Sequence, residues 1–118
     1  MNHTEFQFRI PKIIQVNNHV WLFNDSDEAT GYLVEGEDFA CVIDTMTGLV
    51  NVRAEAEKLT DKPLLLINTH GHSDHIGENW SFERAYMHTA DLPVAKEALS
   101  HPAYIEAMKR FGLRYPDT

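Results

Sequence analysis

Cysteine is almost missing from this chain: Cys41 stands alone among 118 residues, so no intrachain disulfide can form. Its place inside the apolar run 39–43 reads as a small core residue, with a catalytic thiol as the lesser reading. Hydrophobic runs of membrane-spanning length are missing too. Residues 1–12 are polar and mixed in charge, without the apolar stretch of a signal peptide. A reducing, cytoplasmic location is the expectation from these absences. Positive charge is also short, with 10 Lys and Arg against 18 Asp and Glu and a net charge of -8. Such a surface repels polyanions, which argues against nucleic-acid or anionic-membrane partners and leaves a small-molecule substrate as the expected ligand. No repeat, low-complexity tract or linker interrupts the chain, so residues 1–118 read as a single domain.

What is there begins as strands. Runs at 13–16 and 20–23 are rich in β-branched and aromatic residues and are separated by the turn-favouring pair Asn17-Asn18. Residues 30–34 and 39–43 follow, joined through Glu35-Gly36-Glu37-Asp38 as a hairpin. After Asp44 the period changes. Leu49, Val52, Ala56 and Leu59 recur at helical spacing, and Arg53 and Glu57 are set for an i,i+4 pair. Pro63 then introduces Leu64-Leu65-Leu66-Ile67, an unalternating run expected of a strand covered on both faces. Strand, crossover helix and strand make a βαβ unit with parallel strands, whose carboxyl ends share one rim where ligands of open α/β sheets tend to bind. Asp44 ends one of these strands and Asn68-Thr69-His70 ends the other, which places Asp44 near whatever that rim binds. A short strand at 85–88 and a helix with Asp91 as N-cap, Pro93 in its first turn and a stripe of Leu92, Ala95 and Leu99 complete this part. A last helix is expected from Pro102 to about Phe111, with Ile105, Met108 and Phe111 inward and Gly112 at its end.

The chemistry is concentrated at Thr69-His70-Gly71-His72-Ser73-Asp74-His75-Ile76-Gly77. Three imidazoles and a carboxylate within six positions fit zinc, which takes neutral imidazole and carboxylate donors and activates water when a coordination position stays open. On the chain's own composition the pattern His-x-His-x-Asp-His arises by chance on the order of once in a thousand such sequences. Residues two apart share a face only in extended chain, so His70 and His72 converge on one ion only if the backbone there is extended. Asp74 and His75 are adjacent and meet on a second ion only where the chain turns, and Gly71 and Gly77 bracket such a turn. Two neighbouring metal subsites are the natural arrangement.

The motif, together with Val42-Ile43-Asp44-Thr45, Gly31-Tyr32-Leu33-Val34 and the stretch 79–88, resembles the metallo-β-lactamase superfamily over residues 20–98 or thereabouts. The resemblance implies an α/β (α+β) fold, an αββα sandwich in which a mixed β-sheet is flanked by helices. It also implies that His70 and His72 hold one ion and Asp74 and His75 the other. Asp74 would in addition orient the water, as its catalytic role, and Asp44 would steady the metal loop. The competing reading of Asp44 is a cap on the next helix. One or two zinc ions are expected, with iron or manganese compatible with the same donors. The implied activity is metal-dependent hydrolysis of a carbonyl or phosphoryl ester, thioester or lactam-type substrate. A cytoplasmic location argues against a dedicated antibiotic-resistance enzyme, which is normally exported.

Complete members have a second half that supplies a third His to the first ion, a bridging Asp, and a His to the second ion. Only 43 residues follow His75, and their His88, Asp91, His101 and Asp117 match none of those later motifs. His88 reads as a hydrogen-bonded structural residue, and His101 as the start of a helix. The expectation is therefore the amino-terminal half of the fold, with one sheet face apolar and exposed. Such a chain should form a homodimer or associate with a missing second half. A non-catalytic metal-binding or oligomerising half-domain is the alternative function. Met46, Trp80 and Phe82 are the residues to consider at the metal rim, each more readily explained as core.

Overall fold

A computed structural model describes residues 8–25 and 29–100. It holds one six-stranded sheet in the order β1-β2-β3-β4-β5-β6. The strands are β1 (Lys12–Asn17), β2 (Val20–Asn24), β3 (Thr30–Glu35), β4 (Ala40–Ile43), β5 (Leu64–Ile67) and β6 (Ala85–Tyr86). The first four form an antiparallel meander, while β4-β5 and β5-β6 are parallel. Among the described residues three α-helices accompany them: α1 (Val52–Leu59), the one-turn α2 (Ser73–Ile76) and α3 (Leu92–Leu99). The expected βαβ unit is present as β4-α1-β5.

Local chemistry explains the element boundaries. Asn17 Oδ1 accepts the His19 N–H at 2.8 Å, closing the turn between β1 and β2. In the second hairpin Gly36 N–H donates to the Phe39 carbonyl at 2.9 Å, so Phe39 belongs to the turn and β4 begins one residue later than the apolar run suggests. Helix α1 begins at Val52, not at Leu49, because Asn51 Oδ1 accepts the Ala54 N–H at 3.1 Å and caps it there. Strand β6 stops at Tyr86, short of the expected 85–88. His88 Nδ1 instead accepts the Ala90 N–H at 3.0 Å and starts a 3-10 turn. Asp91 precedes α3 without a side-chain capping bond; its Oδ1 accepts the Gly71 N–H at 3.4 Å. Of the expected α3 stripe, Ala95 is buried and Leu92 exposed, and the Leu99 side chain lies outside the described ones. The helix expected from Pro102 and His101 lies outside the described residues.

Strand alternation divides the sheet into two unlike faces. One carries the core: Trp21, Phe23, Leu33, Ala40, Val42 and Leu66 pack with Val50, Val52 and Ala56 of α1 and its lead-in, and with Met46 and Phe82. The other face has no fully buried residue among the described ones. Across it Ile14, Leu22, Tyr32, Ile43, Ile67 and Tyr86 stand in register on all six strands. Beside them run Val20, Val34, Cys41 and Leu65, all half-buried. Cys41 therefore lies on this open face, alternating with buried Ala40 and Val42, and is not a core residue. Strand β5 departs in the same way from coverage on both faces: Leu66 is buried, while Ile67 keeps 37% of its surface.

Candidate metal centre

The parallel strands β4 and β5 end side by side. Asp44 N–H donates to the Ile67 carbonyl and Asn68 N–H to the Tyr86 carbonyl, at 2.9 and 2.8 Å, carrying the ladder one residue past the strands. There the chain turns sharply: Asp44 and Met46 take φ values of 67° and 64°, a left-handed conformation that costs free energy in residues other than glycine. What holds Asp44 in it is its own carboxylate, which is 4% exposed and fully engaged. Oδ1 accepts the Thr69 N–H at 2.8 Å; Oδ2 accepts the Thr69 hydroxyl at 2.7 Å and meets His75 Nδ1 at 2.9 Å. Asp44 thus grips both ends of the histidine loop, and the capping of α1 falls to other residues.

These contacts settle which imidazole nitrogens face outward. A carboxylate only accepts, so neutral His75 donates its Nδ1 proton to Asp44 and keeps a lone pair on Nε2. The Thr69 hydroxyl has one proton and spends it on Asp44, so its oxygen accepts from His70 Nδ1, 2.9 Å away. His70 is left with its Nε2 lone pair as well. One buried carboxylate therefore orients two histidines, one directly and one through a threonine.

His72 has extended backbone, φ -70° and ψ 151°, and the chain turns directly after it into α2. That turn brings Asp74 and His75 together, with His75 Nε2 3.6 Å from Asp74 Oδ1. Among the described residues His70, Asp74 and His75 place one donor each within 4.8 Å of one another. The rings of His70 and His75 lie 3.9 Å apart between centroids, and His72 stands edge-on to His70 at 4.8 Å, outside that set of three. Two imidazole lone pairs and a half-exposed carboxylate converging at a solvent-facing rim fit a borderline-soft dication such as zinc. The glycines matter at two contacts. A Cβ on Gly71 would lie 2.7 Å from the Ala95 nitrogen of α3, and one on Gly77 would lie 2.2 Å from the Thr47 carbonyl carbon.

Beneath the loop lies a buried polar lattice that the sequence reading missed. Asn68 and Asn79 exchange side-chain hydrogen bonds at 2.8 and 3.2 Å. The His75 carbonyl accepts from Thr45 N–H at 2.9 Å and from Asn68 Nδ2 at 3.2 Å. Glu78, fully buried, donates its N–H to Thr45 Oγ1 at 2.9 Å. Of the apolar residues considered for the rim, Met46 and Phe82 are core, and Trp80 is half-buried with its ring 6.4 Å from that of Phe8.

The family model described as Metallo-beta-lactamase superfamily matches residues 27–115. The chain belongs to the metallo-beta-lactamase superfamily. Solved members share its architecture. The mono-zinc form of the metallo-beta-lactamase FIM-1 from Pseudomonas aeruginosa superposes with a TM-score of 0.64 at 16% identity, over 80% of this chain and 49% of that one. DIM-1 metallo-beta-lactamase gives 0.63 at 18%, over 81% and 50%, and the enzyme from Hirschia baltica 0.63 at 19%, over 75% and 48%. A curated relative, the acyl-coenzyme A thioesterase MBLAC2 of Bos taurus, is 31% identical over 81 residues, or 58% of this chain and 29% of the relative. The chain thus spans about half the length of the metallo-beta-lactamase structures and under a third of that relative. The superfamily's members bind metal ions, and this rim gathers a His and Asp cluster able to hold one.

Proposed function

We propose that the chain carries the metal-binding part of a zinc-dependent hydrolase. The observation that supports this reading best is the Asp44-Thr69 relay, which engages the Nδ1 atoms of His70 and His75 and leaves their Nε2 lone pairs free beside Asp74, in the cluster of three donors, before any ion arrives. When bound, a dication at this rim supplies Lewis acidity and lowers the pKa of a water molecule. His70 and His72 would hold one ion, and Asp74 and His75 a second. Asp74 would also accept a hydrogen bond from the water and so orient it. Asp44 keeps the histidines in the donating tautomer. Iron or manganese suits the same donors.

The relative named as an acyl-coenzyme A thioesterase makes an acyl thioester the first substrate to try, ahead of phosphoryl esters and lactams. A cytoplasmic, small-molecule enzyme without nucleic-acid or membrane partners is part of the proposal. In support, no helix among the described residues is long and apolar enough to cross a membrane, and the net charge is -8. The test is zinc content per purified chain alongside hydrolysis of an acyl thioester. Bound zinc, and turnover lost in His75→Ala, support the proposal; a chain that takes up no zinc at saturating concentration refutes it.

A second reading is favoured by the open apolar row across the sheet: a non-catalytic metal-binding or oligomerising half-domain. It forms a homodimer or joins a separate second half over that face. Zinc binding without turnover, in a chain that elutes as a discrete dimer on gel filtration, supports this reading. A well-folded monomer at micromolar concentration argues against it.

A further inference from the structure

The carboxyl group of Glu78 takes no part in the metal-binding scheme, yet it is among the most deeply buried polar groups of the molecule. Its Oε1 accepts the Val52 N–H and, at 3.4 Å, the Arg53 N–H. Asn51 Oδ1 takes the Ala54 N–H. Together the two side chains satisfy the first three amide donors of α1, which a helix leaves without internal partners. Glu78 is thus a helix cap supplied from 26 residues away. Burial pushes its carboxyl up to about 8, against the lowering pull of the two amides, and Oε2 has no hydrogen-bond partner.

The main chain of the same residue ties that helix end to the histidine loop. Glu78 N–H donates to Thr45 Oγ1, and Thr45 N–H donates to the His75 carbonyl. The path from α1 to His75 runs through two side chains and two amides, all buried except at the histidine ring. A side chain that merely stabilised α1 would not need this second connection, since Asn51 caps the same helix end without touching the loop.

We propose that Glu78 is a positioning residue that locks the amino end of α1 to the metal loop and so holds His75 in ligand geometry. The proposal rests on the metal reading given above. Glu78→Gln preserves the reach and the accepting oxygen, whereas Glu78→Asp is one methylene too short to keep the Val52 bond.

The experiment is a zinc titration of the full chain in competition with a chromophoric chelator, with thermal unfolding measured on the same samples. Glu78→Asp should weaken zinc binding by about tenfold or more, the range seen when supports of metal ligands are removed. Glu78→Gln should stay within about threefold of the parent on the same scale. Asn51→Ala, which loosens α1 alone, should lower the melting temperature and leave zinc affinity unchanged. Thr45→Ala cuts the same link on its other side and should reproduce the Glu78→Asp loss, so it decides the matter if Glu78→Asp does not fold. Parent-like zinc binding in Glu78→Asp or Thr45→Ala overturns the proposal, as does an equal loss in Asn51→Ala. A parent chain that binds no zinc ends the metal reading first and this inference with it, a result distinct from the other two.

Discussion

The rim at the ends of β4 and β5 and the open face of the sheet are inversions of each other. At the rim, polar side chains are buried: Asp44, Thr45, Asn68, Glu78 and Asn79 all lie inside. On the open face, apolar side chains are out: Ile14 keeps 46% of its surface and Tyr86 48%. Burying a polar group costs free energy unless it is hydrogen-bonded, and the rim meets that condition almost completely, with Glu78 Oε2 the exception among the described residues. The polar lattice therefore holds a shape. The apolar row, among the described residues, has no fully buried member.

Substituting apolar side chains on the two faces should have very different costs. Leu33, fully buried on the core face, should cost about 2–5 kcal/mol when changed to Ala, read by urea unfolding. Next in size is the pH response of the rim. Because burial raises the Glu78 carboxyl from 4.5 to about 8, the folded chain keeps a proton that the unfolded chain releases above 4.5. Stability is then full below about 4.5 and declines as pH rises through about 8. Glu78→Gln should flatten that decline; an unchanged slope would show that the carboxyl does not titrate this way. The smallest effect belongs to the open face. Ile67→Asp should change stability by no more than about 0.5 kcal/mol, as at other surface positions. A cost as large as that of Leu33→Ala would mean that this face is buried in solution, which favours the dimer reading.

Much of this was legible in residue order. The meander followed from short β-branched and aromatic runs separated by turn-favouring residues, and the parallel pair from a helical period placed between two apolar runs; that pair put Asp44 beside the histidine loop. The turn after His72 followed from the need to bring Asp74 and His75 together. What escaped was decided by hydrogen bonds between residues far apart in sequence. Glu78 looks like an ordinary loop carboxylate until α1 is known to start at Val52 and to need a cap. Leu49 fits the apolar period of α1 yet lies before it, because Asn51 stops the helix; an Asn three residues before Ala54 was the available signal. Cys41 looked like core because an apolar run of five does not say which of its members face inward. The grouping of His70 with Asp74 and His75, and His72 beside them, depends on ring orientations that spacing does not determine.

Asp44, through its own carboxylate and through Thr69, presets the tautomers of two histidines, which long-range nitrogen–proton NMR of the zinc-free chain reads out. Both His70 and His75 should carry their proton on Nδ1. Protonation at Nε2 in either ring would contradict this.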